Sequence, residues 1–87
     1  EKYGIIEFTQ RGRELGNYLL QRHEAIEQFL GLIGVTEGIL EETEKLEHNI
    51  REETVERITI LVEFIQQDQK RLNSFNGYLK KRLKLTP

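Results

Sequence analysis

The segment Glu44-Lys45-Leu46-Glu47-His48 concentrates metal-binding side chains within one helical turn. On a helix, Glu44 lies one turn from both Glu47 and His48, so the three side chains can converge on one point. Two neighbouring carboxylates repel each other, and a divalent cation between them relieves that repulsion. Oxygen donors with imidazole and without sulfur suit Mn(II) or Fe(II), and zinc or cobalt can occupy such a set in vitro.

His23 is the other histidine of the chain. It shares a helical stripe with Leu19, Ile26 and Leu30, so we expect its imidazole to point inward. Antiparallel packing of this helix against the Glu44–His48 segment would bring His23 to the acidic face. The alternative needs no metal: a hydrogen-bonded histidine at the edge of the core, beside a solvated helix face rich in glutamate. Both interpretations stay open on the pattern alone.

Motifs of catalysis are missing from the sequence. Ser74 is the sole serine and Asp68 the sole aspartate, so a Ser-His-Asp arrangement has no support. His23-Glu24 is not followed by the second histidine of a zinc protease, and Gly31-Leu32-Ile33-Gly34 lacks the Lys-Ser/Thr ending of a phosphate loop. Neither histidine has Glu three residues before it, which argues against a ferritin-like di-iron protein. We therefore expect a binding or regulatory protein, not an enzyme.

Composition narrows the class further. The 87 residues carry 37% hydrophobic and 32% charged side chains, a net charge of −2 and no cysteine. This is enough apolar material for a folded domain, and the absence of cysteine excludes disulfides and thiolate metal sites. No apolar run reaches the roughly 18 residues of a membrane span, so we expect no membrane contact. The weak net charge gives no general attraction to nucleic acid, and a small cytoplasmic protein is the simplest expectation.

Hydrophobic spacing predicts an all-α fold of four helices. The first helix should run from about Gln10 to Ile33 and end at Gly31 and Gly34. Thr36 is the expected N-cap of the second helix, and a break near Asn49–Arg51 should precede the third. Asp68 is the expected N-cap of the fourth. Short connections predict antiparallel or steeply crossed neighbours.

Residues 3–8 are β-leaning and have no partner strand in the chain. An isolated strand is unstable, so we expect its partner in a preceding segment and the chain to be part of a longer protein.

Five motifs in one order resemble the metal-binding and dimerisation domain of the diphtheria-toxin-repressor family of metal-dependent transcriptional regulators. The resemblance covers nearly the whole chain to about Ile65. The motifs are Phe8-Thr9-Gln10-Arg11-Gly12-Arg13-Glu14, Arg22-His23-Glu24-x-x-Glu27-x-Phe29-Leu30, Ile33-Gly34-Val35, Glu44-x-x-Glu47-His48 and Glu52-Glu53-Thr54-x-Glu56-Arg57.

The resemblance implies a domain order and a ligand set. Residues 1–9 would be the end of the wing of a winged-helix DNA-binding domain, and residues 10–87 the metal-binding and dimerisation domain. His23, Glu44, Glu47 and His48 would be this domain's metal ligands, with two further carboxylates from the DNA-binding domain, so the site would be incomplete without it. The partners implied are a second copy, as a homodimer, and operator DNA through the missing domain alone.

Two departures from the iron-responsive members bear on the metal. Those members carry Cys at the position of Glu44 and a second His at the position of Leu40, where it serves an ancillary site with residues resembling His23 and Glu27. A carboxylate is a harder donor than a thiolate and favours Mn2+, with Fe2+, Zn2+, Co2+ or Cd2+ possible in vitro. The resemblance thus implies the dimerising, metal-sensing half of a manganese-dependent repressor of metal-uptake genes. The alternative is a structural helical dimerisation module without a functional metal site.

Dimerisation also follows from size. A chain of this length buries only about 60% of its unfolded surface, so its own core is marginal. Val35, Ile39, Leu46 and Ile50 are the candidate dimer-interface residues. Their alternative role is ordinary packing within one chain.

Overall fold

The computed structural model describes residues 10–84, which form four α-helices joined by short connections. Helix α1 spans Gln10–Leu32, α2 Ile39–Asn49, α3 Glu52–Gln66 and α4 Gln69–Leu83. Helix α1 packs against both α2 and α3, while α4 packs against α3. The all-α prediction is confirmed for these residues. The predicted β segment and wing fall on residues 1–9, outside the described residues.

Helix α1 ends in a glycine cap. Gly34 has a φ of 93°, in the left-handed region that glycine adopts without a Cβ penalty. The Val35 N–H donates to the Leu30 carbonyl at 2.9 Å, and the Gly34 N–H donates to the Gly31 carbonyl at 3.1 Å. These two bonds form a Schellman motif and satisfy carbonyls that the helix itself leaves free. The end predicted from the two glycines is confirmed.

Helix α2 begins later than Thr36 would specify. Its N-cap is Gly38, at φ 68° and ψ 24°, and no side chain caps this end. The first helical bond of α2 runs from the Glu42 N–H to the Gly38 carbonyl at 3.0 Å. The prediction of Thr36 as N-cap is therefore wrong. Residues 35–38 reverse the chain after α1, and the left-handed conformation of Gly38 delays the start of the helix.

The other two helix boundaries follow the sequence signals. Ile50 and Arg51 are extended, which makes the predicted break between α2 and α3. Asp68 caps α4 by accepting a hydrogen bond from the Lys70 N–H at 2.9 Å. This arrangement satisfies one of the free N–H groups of the first turn of α4.

The core lies where α1 meets α2 and α3. Ile26, Leu30 and Val55 form its buried cluster, and Thr43 of α2 is fully buried with its hydroxyl donating to the Ile39 carbonyl at 2.7 Å. Partly buried side chains pack around the cluster: Ala25, Phe29, Ile33, Val35, Ile39, Leu46 and Ile50. Within residues 10–84, no helix is both long enough and apolar enough to cross a bilayer.

Candidate metal centre

Antiparallel packing of α1 and α2 brings His23 to Glu47. Helix α2 follows the end of α1 after residues 33–38, and its last turn returns to the middle of α1. There the Nδ1 atom of His23 lies 3.2 Å from Oε2 of Glu47. The two side chains are 29% and 23% exposed, so both are partly shielded from water. The predicted approach of His23 to the acidic helix is thus seen at Glu47.

The second ring nitrogen of His23 also faces a carboxylate. Its Nε2 atom lies 3.7 Å from Oε1 of Glu27, one turn further along α1. A neutral imidazole carries only one N–H, so it can donate to one of these two carboxylates at a time. Imidazole and carboxylate oxygen are the donor types that Mn(II) and Fe(II) accept. The donor types at this place therefore suit a divalent cation, and Glu27 and Glu47 lie at different nitrogens of the ring.

Glu44 and His48 lie on α2 with exposed side chains. Among the residues that the structure describes, no three or more His, Cys, Asp or Glu side chains are grouped so that they could hold a metal ion. The structure brings together His23 and Glu47 of the four predicted ligands. The complete set of His23, Glu44, Glu47 and His48 stays a prediction.

Arg22 holds the end of α2 against α1. Its Nη2 atom donates to the carbonyl oxygens of Glu47 and Ile50, each at 2.7 Å. The last carbonyls of a helix have no partner within it, and a cation there also interacts favourably with the helix dipole. Sequence reasoning missed this role. Its partners are backbone carbonyls, which no sequence motif marks.

The position of the ancillary ligand in the iron-responsive members is occupied by Leu40, which is 58% exposed. A leucine side chain has no donor atom, so this position contributes nothing to a metal site.

The four candidate interface residues all pack against the core of their own chain while staying partly exposed. They are Val35, Ile39, Leu46 and Ile50. Their alternative role, packing within the chain, is present. A role in a dimer interface stays a prediction.

Comparison with known proteins adds an independent line of evidence. A family model described as "Iron dependent repressor, metal binding and dimerisation domain" matches residues 9–80. The chain is 40% identical over 82 residues to the HTH-type transcriptional regulator MntR of Geobacillus kaustophilus, and 38% identical to that of Geobacillus thermodenitrificans. In both cases the match covers 93% of this chain and 58% of the relative, so the chain spans little more than half of their length. No solved structure matches.

Proposed function

Because this chain belongs to the iron-dependent repressor family, as its metal-binding and dimerisation domain, we propose that it is the dimerising and metal-sensing half of a manganese-dependent transcriptional repressor. Its relatives are transcriptional regulators and not enzymes. The repressor would act in the cytoplasm and control genes for metal uptake.

The observation that carries the metal-sensing role is the pairing of His23 with Glu47 across two helices. Each side chain is partly shielded from water, and the His23 imidazole also lies 3.7 Å from the Glu27 carboxylate. His23 supplies one imidazole donor from α1, while Glu47 supplies a carboxylate from α2. Glu44 and His48 lie one helical turn and one residue from Glu47, so rotation of their exposed side chains is the simplest way to add donors.

Manganese is the favoured ion on donor chemistry. The proposed set contains two carboxylates and two imidazoles and no sulfur, because the chain has no cysteine. Hard oxygen donors suit Mn(II), whereas thiolates select softer ions. A bound divalent cation would supply the positive charge that holds these donors together. Two further carboxylates from the DNA-binding half would complete the set.

The regulatory mechanism follows from ligands on two domains. His23, Glu44, Glu47 and His48 would hold the cation from this domain, and the carboxylates of the DNA-binding domain from the other side. Such shared ligation restricts the angle between domains, and in a two-fold dimer that angle sets the separation of the recognition helices. Metal-free protein would sample many angles, so ligation lowers the ordering cost of operator binding.

The second copy in this proposal is identical and related by a two-fold axis. Val35, Ile39, Leu46 and Ile50 are proposed to contribute to both the chain's own core and the dimer contact, since they retain exposed surface. Operator DNA would be contacted only through the winged-helix domain, and the proposal needs no membrane partner.

A structural dimerisation module is the second candidate. One observation favours it: among the described residues, no three of the predicted donors are grouped so that they could hold a metal ion. This candidate predicts a stable dimer that does not respond to metal.

Thermal unfolding with and without Mn(II) separates the two candidates. A ligand at 100 times its Kd stabilises the folded state by about 2.7 kcal/mol. Each kcal/mol of stabilisation raises Tm by roughly 4–8 °C in a domain of this size. We expect the rise in the parent chain and not in a Glu47→Ala, His48→Ala double variant. Light scattering at the same concentration gives the mass. A dimer that shows no shift with Mn(II) would favour the structural module.

A further inference from the structure

Two consecutive residues of α1 hold both the main chain and the side chain of Glu47. Arg22 donates to the Glu47 carbonyl and to the Ile50 carbonyl, each at 2.7 Å. His23, the next residue, contacts the Glu47 carboxylate at 3.2 Å. The backbone that carries the carboxylate is therefore fixed to the helix that carries the imidazole.

The two carbonyls that Arg22 reaches lie on either side of the end of α2. Glu47 belongs to the last turn, and Ile50 is the extended residue that follows Asn49. A guanidinium has five donors in a planar fork and stays charged, so one arginine can bridge two carbonyls. A lysine is a compact point charge without that fork. Both bonds come from Nη2 of Arg22, which carries two N–H groups, so this one nitrogen ties the two sides of the end of α2 to α1.

We propose that Arg22 is a positioning residue for the candidate metal centre. Its two hydrogen bonds set the last turn of α2 against α1, and this places the Glu47 carboxylate beside the His23 imidazole. Without the bridge, the last turn of α2 is free to fray, and the Glu47 carboxylate loses its position beside His23. The inference rests on the proposed metal-sensing function, while the bridge itself belongs to the chain without metal.

Metal affinity is the first test. Mn(II) binding to the full chain is measured by electron paramagnetic resonance of the free ion, for the parent, Arg22→Met and Arg22→Lys. We expect affinity to fall about 10- to 100-fold in Arg22→Met, the range seen when a residue that supports a ligand is lost. Arg22→Lys should recover only part of it. Arg57→Met is the matched control, since Arg57 is an exposed arginine of α3 that pairs with Glu53.

A double-mutant cycle distinguishes positioning from general destabilisation. If Arg22 acts through Glu47, then Arg22→Met should change the residual Mn(II) affinity of Glu47→Gln by less than about twofold. An equal loss in the parent and in Glu47→Gln would overturn the inference, because Arg22 would then act independently of Glu47.

Amide hydrogen exchange without metal is the second readout. Arg22→Met should speed exchange of the amides of Glu47, His48 and Asn49 and leave the middle of α3 unchanged, because local opening is measured residue by residue. Unchanged exchange at the end of α2 would overturn the inference. If the parent chain binds no Mn(II), the proposed function fails in this chain, and exchange alone decides whether Arg22 positions Glu47.

Discussion

His23 Nδ1 and Glu47 Oε2 lie 3.2 Å apart, although 24 positions separate the two residues in the chain. Nothing local produces this pair. It depends on the burial of Ile26 and Leu30 against α2 and α3, which fixes α1 beside α2. It also depends on Arg22, which donates to carbonyls at the end of α2. The candidate metal centre is therefore a product of helix packing. Substitutions at the proposed ligands and substitutions at the residues that hold the helices together should have different effects.

Replacing Glu44 with cysteine should change the preferred metal. Glu44→Cys exchanges a hard carboxylate for a soft thiolate one turn before His48, so the ratio of Mn(II) to Zn(II) affinity should fall by about tenfold or more. Competition titration with the two ions measures the ratio. Glu42→Cys is the control, since Glu42 is exposed on the same helix but off the proposed ligand face. An equal change in both variants would contradict the assignment of Glu44.

Alanine substitutions of Gly16, inside α1, and of Gly34, just after it, should change the free energy of unfolding in opposite directions. Gly34 has a φ of 93°, and a Cβ there would lie 3.2 Å from Cδ2 of Leu79. Gly34→Ala should therefore lower the free energy of unfolding by about 1–2 kcal/mol. Gly16 lies inside α1 with nothing near its Cβ position, so Gly16→Ala should raise it by about 0.5–1 kcal/mol. Urea unfolding at one fixed protein concentration measures both, and a stabilised Gly34→Ala would contradict the cap geometry.

The cap of α4 gives a stability test away from the metal centre. Asp68 accepts a hydrogen bond from the Lys70 N–H at 2.9 Å, so Asp68→Ala should cost about 0.5–2 kcal/mol. Asp68→Asn keeps an acceptor oxygen and should cost far less, because asparagine caps helices as well as aspartate does. The exposed contact from Arg71 to Asp68, at 3.7 Å, adds little. Equal losses in the two variants would show that charge and not capping stabilises this end.

Local signals predicted most of the helix boundaries. The paired glycines fixed the end of α1, and Asp68 fixed the start of α4, because each acts through bonds to its immediate neighbours. Thr36 failed as a cap because Gly38 supplied a second way to turn the chain, and a sequence pattern does not say which of two turn residues the backbone uses. The family prediction from ordered motifs is confirmed by the match over residues 9–80.

The candidate site was harder to predict because it depends on contacts between helices. Periodicity put His23 on the inner face of α1 and Glu47 on an acidic helix, and antiparallel packing brought the two together. Periodicity alone does not tell which rotamer an exposed side chain takes, so the places of Glu44 and His48 were not determined. Arg22 was missed because its partners are backbone carbonyls, which carry no residue-specific signal.

The dimer interface can be tested on two adjacent residues of α2. Ile39 packs against the core cluster, while Leu40 is 58% exposed and does not. If the proposed interface is correct, Ile39→Ala should raise the dimer dissociation constant by about tenfold or more, equivalent to about 1.4 kcal/mol, and Leu40→Ala should leave it nearly unchanged. Sedimentation over a concentration series measures the constant well below the unfolding temperature.

Ile39→Ala also opens a cavity in the chain's own core, at a cost of about 2–5 kcal/mol, so helix content must be checked by circular dichroism at each concentration. Ile39→Val is the milder form, costing about 0.5–1.5 kcal/mol, and keeps the test valid if the alanine variant unfolds. A weaker dimer in Leu40→Ala than in Ile39→Val would place the contact on the outer face of α2 and remove Ile39 from the interface. The core packing of Ile39 would then be its whole role.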